Sequence, residues 1–158
     1  PDFVLSQERY QGSSILLGGS NFGCGSSREH AVWGLQQFGI QAVIAPSFGE
    51  IFYSNAMNNQ LMLVMLPPEQ VETLIQDIES EDGQSILVDV EQRQVKSKSL
   101  ETTFSISERH RKMFLENLDV IGLTLQQRDD ITSFVEKHWQ QHPWCKNVAS
   151  QTRRRLGA

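Results

Sequence analysis

The sequence predicts an α/β domain with a largely parallel central sheet and a second, antiparallel sheet. Two observations carry that reading. In the first half, apolar runs alternate with helical patterns, and strands joined through helices pair in parallel. In the middle, three short strand-like pieces follow one another with polar connections and no helix between them, which favours antiparallel pairing. With 158 residues, 39% hydrophobic and 21% charged, the chain fits one compact domain around a single core.

The elements are expected in the following order. Ser14 to Leu17 is a short apolar run stopped by Gly18-Gly19, a buried strand feeding a glycine-rich loop that continues through Asn21-Phe22-Gly23-Cys24-Gly25. From Ser26-Ser27 onward Ala31, Leu35 and Phe38 recur at helical spacing, and Gly39 is a natural C-terminal stop. Ala42 to Ala45, ended by Pro46, and Leu61 to Leu66, ended by Pro67-Pro68, read as two more strands, with helices between and after them. Ile86 to Val90, Gln94 to Lys96 and Thr103 to Ile106 are the antiparallel pieces. A helix is expected from Ser107, a plausible N-cap, through Leu118, and another from about Arg128 to His142, where Pro143 blocks continuation. Residues 1–143 are taken as the domain and 144–158 as a C-terminal tail.

Charge and composition exclude several classes of function. A net charge of −5 and a pI of about 5.3 oppose a phosphate-backbone footprint, so no nucleic-acid partner is expected. The basic cluster Arg153-Arg154-Arg155 reads as part of a solvated tail. The longest apolar runs are far shorter than the ~20 residues that span a bilayer, so no membrane partner is expected either. Cys24 and Cys145 lie far apart, with no Cys-x-x-Cys and no third thiol for a zinc site, which points to a reducing cytoplasm and to no metal held by this chain. Pro1 in place of Met, followed by Asp2-Phe3-Val4-Leu5, reads as mid-protein sequence and suggests an N-terminal truncation.

The stretch from Gly19 to Ala31 carries the chemistry. Glycines at 19, 23 and 25 let backbone approach a ligand closely before a helix opens, and a helix start favours anions. Arg28 adds a planar, permanently charged fork that can hold a carboxylate bidentately. Other glycine-loop patterns fail. A P-loop needs Lys then Ser/Thr after its last glycine, a dinucleotide fingerprint needs a third glycine where Arg28 stands, and neither Ser20 nor Ser26 sits in Gly-x-Ser-x-Gly. Ser26-x-x-Glu29 also matches a capping box, which by itself is a structural feature of any helix. His30 as general base and Cys24 with His30 as a nucleophilic pair are weaker readings, because a histidine on a first helical turn is more often packed structurally and no Asn or Asp can be assigned as orienter.

At these residues a resemblance enters. The eleven contiguous residues Asn21-Phe22-Gly23-Cys24-Gly25-Ser26-Ser27-Arg28-Glu29-His30-Ala31 resemble the signature of the aconitase-family swivelling domain. Ile44-Ala45-Pro46-Ser47-Phe48 with Ile51-Phe52 and Asn55, and later Leu118 to Leu125, are similar to the isopropylmalate dehydratase small subunits, and the likeness runs from Pro1 to about Trp139. The resemblance implies a swivelling β/β/α three-layer domain with a parallel central sheet and a second antiparallel sheet. It implies a heterodimer with a large subunit that carries a 4Fe-4S cluster, this chain binding no cofactor itself. The implied reaction is the isomerisation of 2-isopropylmalate and 3-isopropylmalate by dehydration and rehydration, a hydro-lyase activity of leucine biosynthesis. Carried over residue by residue, Ser26 resembles the catalytic base, Ser27 and Arg28 the substrate-carboxylate contacts, and Gly23 and Gly25 the residues that shape the loop.

Three departures are expected to matter. The family's N-terminal portion, with a loop that discriminates substrates and another arginine contact, is read as missing. Gln60 stands where relatives usually place a glycine, and Trp144 to Ala158 has no recognised family counterpart. The rival readings are a homoaconitate or methylmalate-type hydro-lyase, a non-catalytic anion-binding module, and an isolated, folded but inactive fragment.

Overall fold

The computed structural model describes residues 5, 7–25, 27–80 and 85–157. Three parallel strands, β1 (Ile15–Leu17), β2 (Ala42–Ala45) and β3 (Met62–Met65), lie side by side in that order, with Ile15 opposite Ala42 and Ala42 opposite Met62. The crossovers are α1 (His30–Phe38) and α2 (Glu50–Asn58), and α3 (Pro68–Glu79) follows β3. The middle strand β2 is buried at every position, as expected for a parallel strand covered on both faces.

A second sheet is formed by β4 (Leu87–Asp89), β5 (Gln94–Lys96) and β6 (Glu101–Thr103), paired antiparallel in sequence order. Val95 at its centre is fully buried and belongs to the same apolar core as Val32, Ile44, Val64 and Leu74. A mixed α/β unit with one parallel and one separate antiparallel three-stranded sheet is the architecture the sequence predicts. Fully burying a Val or Leu side chain contributes about 1.5–3 kcal/mol, so the alternating apolar runs that signal strands are also what holds the sheet in place.

Several boundaries differ from expectation. The third strand of the antiparallel sheet ends at Thr103 rather than running to Ile106. Beyond it the Phe104 N–H still donates to the Arg93 carbonyl at 3.0 Å, and both Phe104 and Ile106 are buried in the core, so the apolar character of Ile106 reports burial and not strand pairing. The helix expected from Ser107 to Leu118 is α4 (Glu108–Leu115), with the Ser107 hydroxyl accepting from the His110 N–H at 3.2 Å, as an N-cap should. It stops early because Asn117 takes a left-handed φ of 51° and the Leu118 N–H folds back onto the Met113 carbonyl at 2.9 Å.

The chain divides into two compact units, Pro1–Val120 and Ile121–Ala158. The second contains most of α5 (Val120–Leu125), then α6 (Arg128–Gln141), a 3-10 turn at Pro143–Cys145, and α7 (Val148–Leu156). The boundary expected at residue 143 therefore falls inside this unit, and most of the expected tail is helical. Arg153, Arg154 and Arg155 are exposed in the last turn of α7, where cations favour the negative end of the helix dipole. Among the described residues no helix is long and apolar enough to cross a membrane.

Candidate functional site

Past the carboxyl ends of β1 and β2 the two following segments stay paired. The Phe22 N–H donates to the Ser47 carbonyl at 3.0 Å and the Gly49 N–H to the Phe22 carbonyl at 2.9 Å, an isolated parallel bridge between Phe22 and Phe48. The glycine loop is thus laid along the start of α2, at the end of a parallel sheet where α/β folds generally bind ligands. Phe22 meets the Phe52 ring edge-on at 5.5 Å and the Phe48 ring at 6.2 Å, an apolar base under the loop.

Glycine is required where the loop crosses that base. Gly23 has a φ of +78°, and a Cβ there would stand 2.2 Å from Cγ of Phe52. Gly25, at φ +131°, faces open space, so its requirement is conformational alone. The result is a shallow cleft of about 340 Å³ lined by Gly23, Cys24, Gly25 and Ser27 from the loop and by Gly49, Glu50, Ile51 and Phe52 from the start of α2.

Of the residues singled out in the sequence, Gly23, Gly25 and Ser27 come together around this cleft. Ser26 lies outside the described residues. Arg28 is exposed on the next turn and is not part of the lining. Cys24 is a free, exposed thiol. The His30 side chain is exposed on the first turn of α1, with its ring 4.9 Å from the Trp33 ring.

The helix start is displaced from its expected place. α1 begins at His30, with Glu29 as its N-cap residue and no side-chain cap, rather than at Ser26-Ser27. The Glu29 side chain makes no cap hydrogen bond, and its Oε1 accepts one from Nδ2 of Asn59 at 3.0 Å. A helix dipole acts over about one turn, so its positive end sits at Glu29 and His30.

Sequence reasoning left Asn59 out, although it sits at the centre of the polar contacts behind the loop. Besides Glu29, its Nδ2 donates to the Asn55 carbonyl at 2.8 Å, its Oδ1 accepts from Nε1 of Trp33 at 3.1 Å, and its backbone carbonyl accepts from Nε2 of Gln36 at 2.6 Å. Nδ2 of Asn55 makes a longer contact, 3.4 Å, to the Ser27 carbonyl. The available signal was the spacing of Asn55 and Asn59, four residues apart and so on one helical face. Residues Gly49 to Phe52 were not assigned to the site either, although Ile51 and Phe52 are part of the resemblance.

Known proteins resemble this chain along most of its length. The family profile described as the aconitase C-terminal domain matches residues 1–69, and the profile for the C-terminal domain of 3-isopropylmalate dehydratase small subunits matches residues 121–148. The chain is 60% identical over 156 residues to 3-isopropylmalate dehydratase small subunit 1 of Chromobacterium violaceum, covering 99% of this chain and 74% of the relative. It is 48% identical to the 3-isopropylmalate dehydratase small subunit of Neisseria meningitidis serogroup C, over 93% of this chain and 70% of the relative. A crystal structure of 3-isopropylmalate dehydratase from Methanocaldococcus jannaschii is similar with a TM-score of 0.55 and 30% identity, covering 75% of this chain and 66% of that one. The alignment over 156 residues also corrects the expectation that Trp144 to Ala158 lacks a family counterpart.

Proposed function

The chain belongs to the family of 3-isopropylmalate dehydratase small subunits, and on that premise we propose that its Gly23–Arg28 loop grips a 2-hydroxy dicarboxylate and supplies the base of the reaction. The family's activity is that of a hydro-lyase in leucine biosynthesis which works with a large subunit. Under this reading Ser26 takes a proton from a substrate carbon. The hydroxyl leaves the neighbouring carbon, an alkene forms, and water returns in the opposite sense to convert 2-isopropylmalate and 3-isopropylmalate into one another.

Each group has a physical reason for its role. Arg28 holds a carboxylate through two parallel N–H donors, and the Ser27 hydroxyl adds a contact from the cleft wall. A serine must have its pKa lowered by several units to act as a base near neutrality, at ~1.4 kcal/mol per unit. The charge of Arg28, two residues on, contributes in that direction. The observation that supports the reading most is the loop laid over Phe52, which brings Gly23, Gly25 and Ser27 to one open cleft.

The cleft is open, and under this reading the large subunit closes it. A 4Fe-4S cluster takes a set of cysteine thiolates. With Cys24 and Cys145 as its two cysteines, this chain does not fit as the holder of such a group, so the reading places the cluster in the large subunit. Both cysteines are free, which accords with a reducing cytoplasm as the working compartment.

The test is alkene absorbance after mixing an anaerobically reconstituted large subunit with this chain or with its Ser26→Ala variant, using 3-isopropylmalate. Turnover that disappears on Ser26→Ala supports both substrate and base. No turnover with an intact cluster, but turnover of homoaconitate or a methylmalate, moves the assignment to that substrate. Inactivity with all of these substrates overturns the catalytic reading for this chain and leaves an anion-binding module or an inactive fragment.

A further inference from the structure

We infer that Asn59 is a positioning residue for the substrate loop, a side-chain amide that sets where Arg28 and Ser27 stand by tying the start of α1 to the end of α2. The inference rests on the loop reading above and adds to it a residue that touches no substrate. Both hydrogens of the Asn59 Nδ2 are engaged, one by Oε1 of Glu29 at 3.0 Å and one by the Asn55 carbonyl at 2.8 Å, while Oδ1 takes the Trp33 indole N–H at 3.1 Å. Glu29 follows Arg28 directly in the chain. Fixing the Glu29 carboxylate and the Trp33 indole therefore fixes the first turn of α1 and the residues that enter it.

The chemistry of the site selects asparagine. Aspartate has the same shape but no N–H, and would set a second negative charge against Glu29 and a carboxylate oxygen against the Asn55 carbonyl. Leucine fills the space and leaves Glu29, Asn55 and Trp33 without their partner. The loop needs such a tether because α1 has no side-chain cap of its own. In reactions of this kind a misplacement of about 1 Å in a substrate-holding group lowers the rate by as much as ~100-fold.

The experiment has two arms. In the isolated chain, amide hydrogen exchange of residues 25–31 is compared between the unmodified protein and Asn59→Ala, Asn59→Asp and, as a control on an exposed position of α2, Asn58→Ala. The inference expects roughly tenfold faster exchange of those amides, with the β2 and β3 amides unchanged, in both Asn59 variants and not in the control. In the two-subunit enzyme, Asn59→Ala is expected to raise KM for 3-isopropylmalate more than it lowers kcat, because Arg28 acts on the bound carboxylate. Adding Glu29→Ala to it should cost little more than Asn59→Ala alone, since the contact that Glu29→Ala breaks is already lost. Pairing Asn59→Asp with Glu29→Gln, which reverses donor and acceptor, should recover part of the loss.

Unchanged exchange in the loop overturns the inference whatever the enzyme does. Additive losses in the double variant, or a fall in thermal stability with KM and kcat intact, overturn it as well by showing a merely structural role. Faster loop exchange in a chain whose unmodified complex turns over no dicarboxylate leaves the tether standing and removes the catalytic reading instead.

Discussion

Gln60 adopts a left-handed φ of 61° in the turn between α2 and β3. An L-residue with a Cβ is disfavoured there by about 1–2 kcal/mol, and glycine is not. The resemblance leads one to expect a glycine at this position, and the left-handed φ is a conformation that glycine adopts without that cost. Gln60→Gly should therefore stabilise the protein by up to about 1 kcal/mol, less the added freedom of the unfolded chain, and a raised midpoint in urea with an unchanged slope would show it. A second prediction at this scale concerns Arg28. Arg28→Lys keeps the charge but replaces the planar fork by a point charge, and should raise KM about tenfold or more in the assembled enzyme. An unchanged KM would remove Arg28 from the carboxylate grip.

At the scale of elements, the antiparallel sheet is fastened to α3 by one buried carboxylate. Asp77 accepts from the Ser97 hydroxyl at 2.5 Å, the Ser99 hydroxyl at 2.7 Å and the Ser99 N–H at 3.0 Å, all in the turn between β5 and β6. The Ser97 hydrogen bond, followed by those from Ser99, holds its carboxyl below the ordinary aspartate value of 3.8. A depressed folded-state pKa stabilises the fold above the unfolded value, and that contribution is lost as the pH falls through the folded value. Asp77→Asn should lower the melting temperature at pH 7 by several degrees and flatten the dependence on acid below pH 4. A pH-stability profile that matches the unmodified protein over that range would show that the turn does not rely on this charge.

Across the whole molecule the two units differ in what holds them. Every buried apolar residue described, from Val32 to Met113, belongs to the first unit, whereas Ile121, Phe134, Trp144 and Leu156 of the second are each more than 60% exposed. Amides of β2 and β3 should consequently exchange only through global unfolding, and those of α6 and α7 by cheaper local opening, several orders of magnitude faster. Leu74→Ala, at a fully buried position, should cost about 2–5 kcal/mol, and Phe134→Ser no more than about 0.5 kcal/mol. Equal protection in the two units, measured by hydrogen exchange of the isolated chain, would contradict this division.

What the sequence by itself determined was local in origin. Apolar runs separated by glycines and prolines mark β1, β2 and β3, because burial on both faces leaves no room for polar positions. The loop from Asn21 to Ala31 is legible because close backbone approach demands glycines at fixed places in one contiguous stretch. Ser107 as an N-cap follows from its own hydroxyl and the N–H three residues on.

Tertiary structure alone decided the rest. Ser26-x-x-Glu29 reads as a helix start by a local rule, whereas α1 begins at His30 and Oε1 of Glu29 accepts from Asn59, thirty residues away in the chain. Ile106 reads as strand by its composition and serves as core. Only the fold brings Phe52 under Gly23 and Asn59 to Glu29 and Trp33, since a side chain's choice between a near and a distant partner depends on which distant groups the packed elements carry to it, and no window of neighbouring residues contains that information.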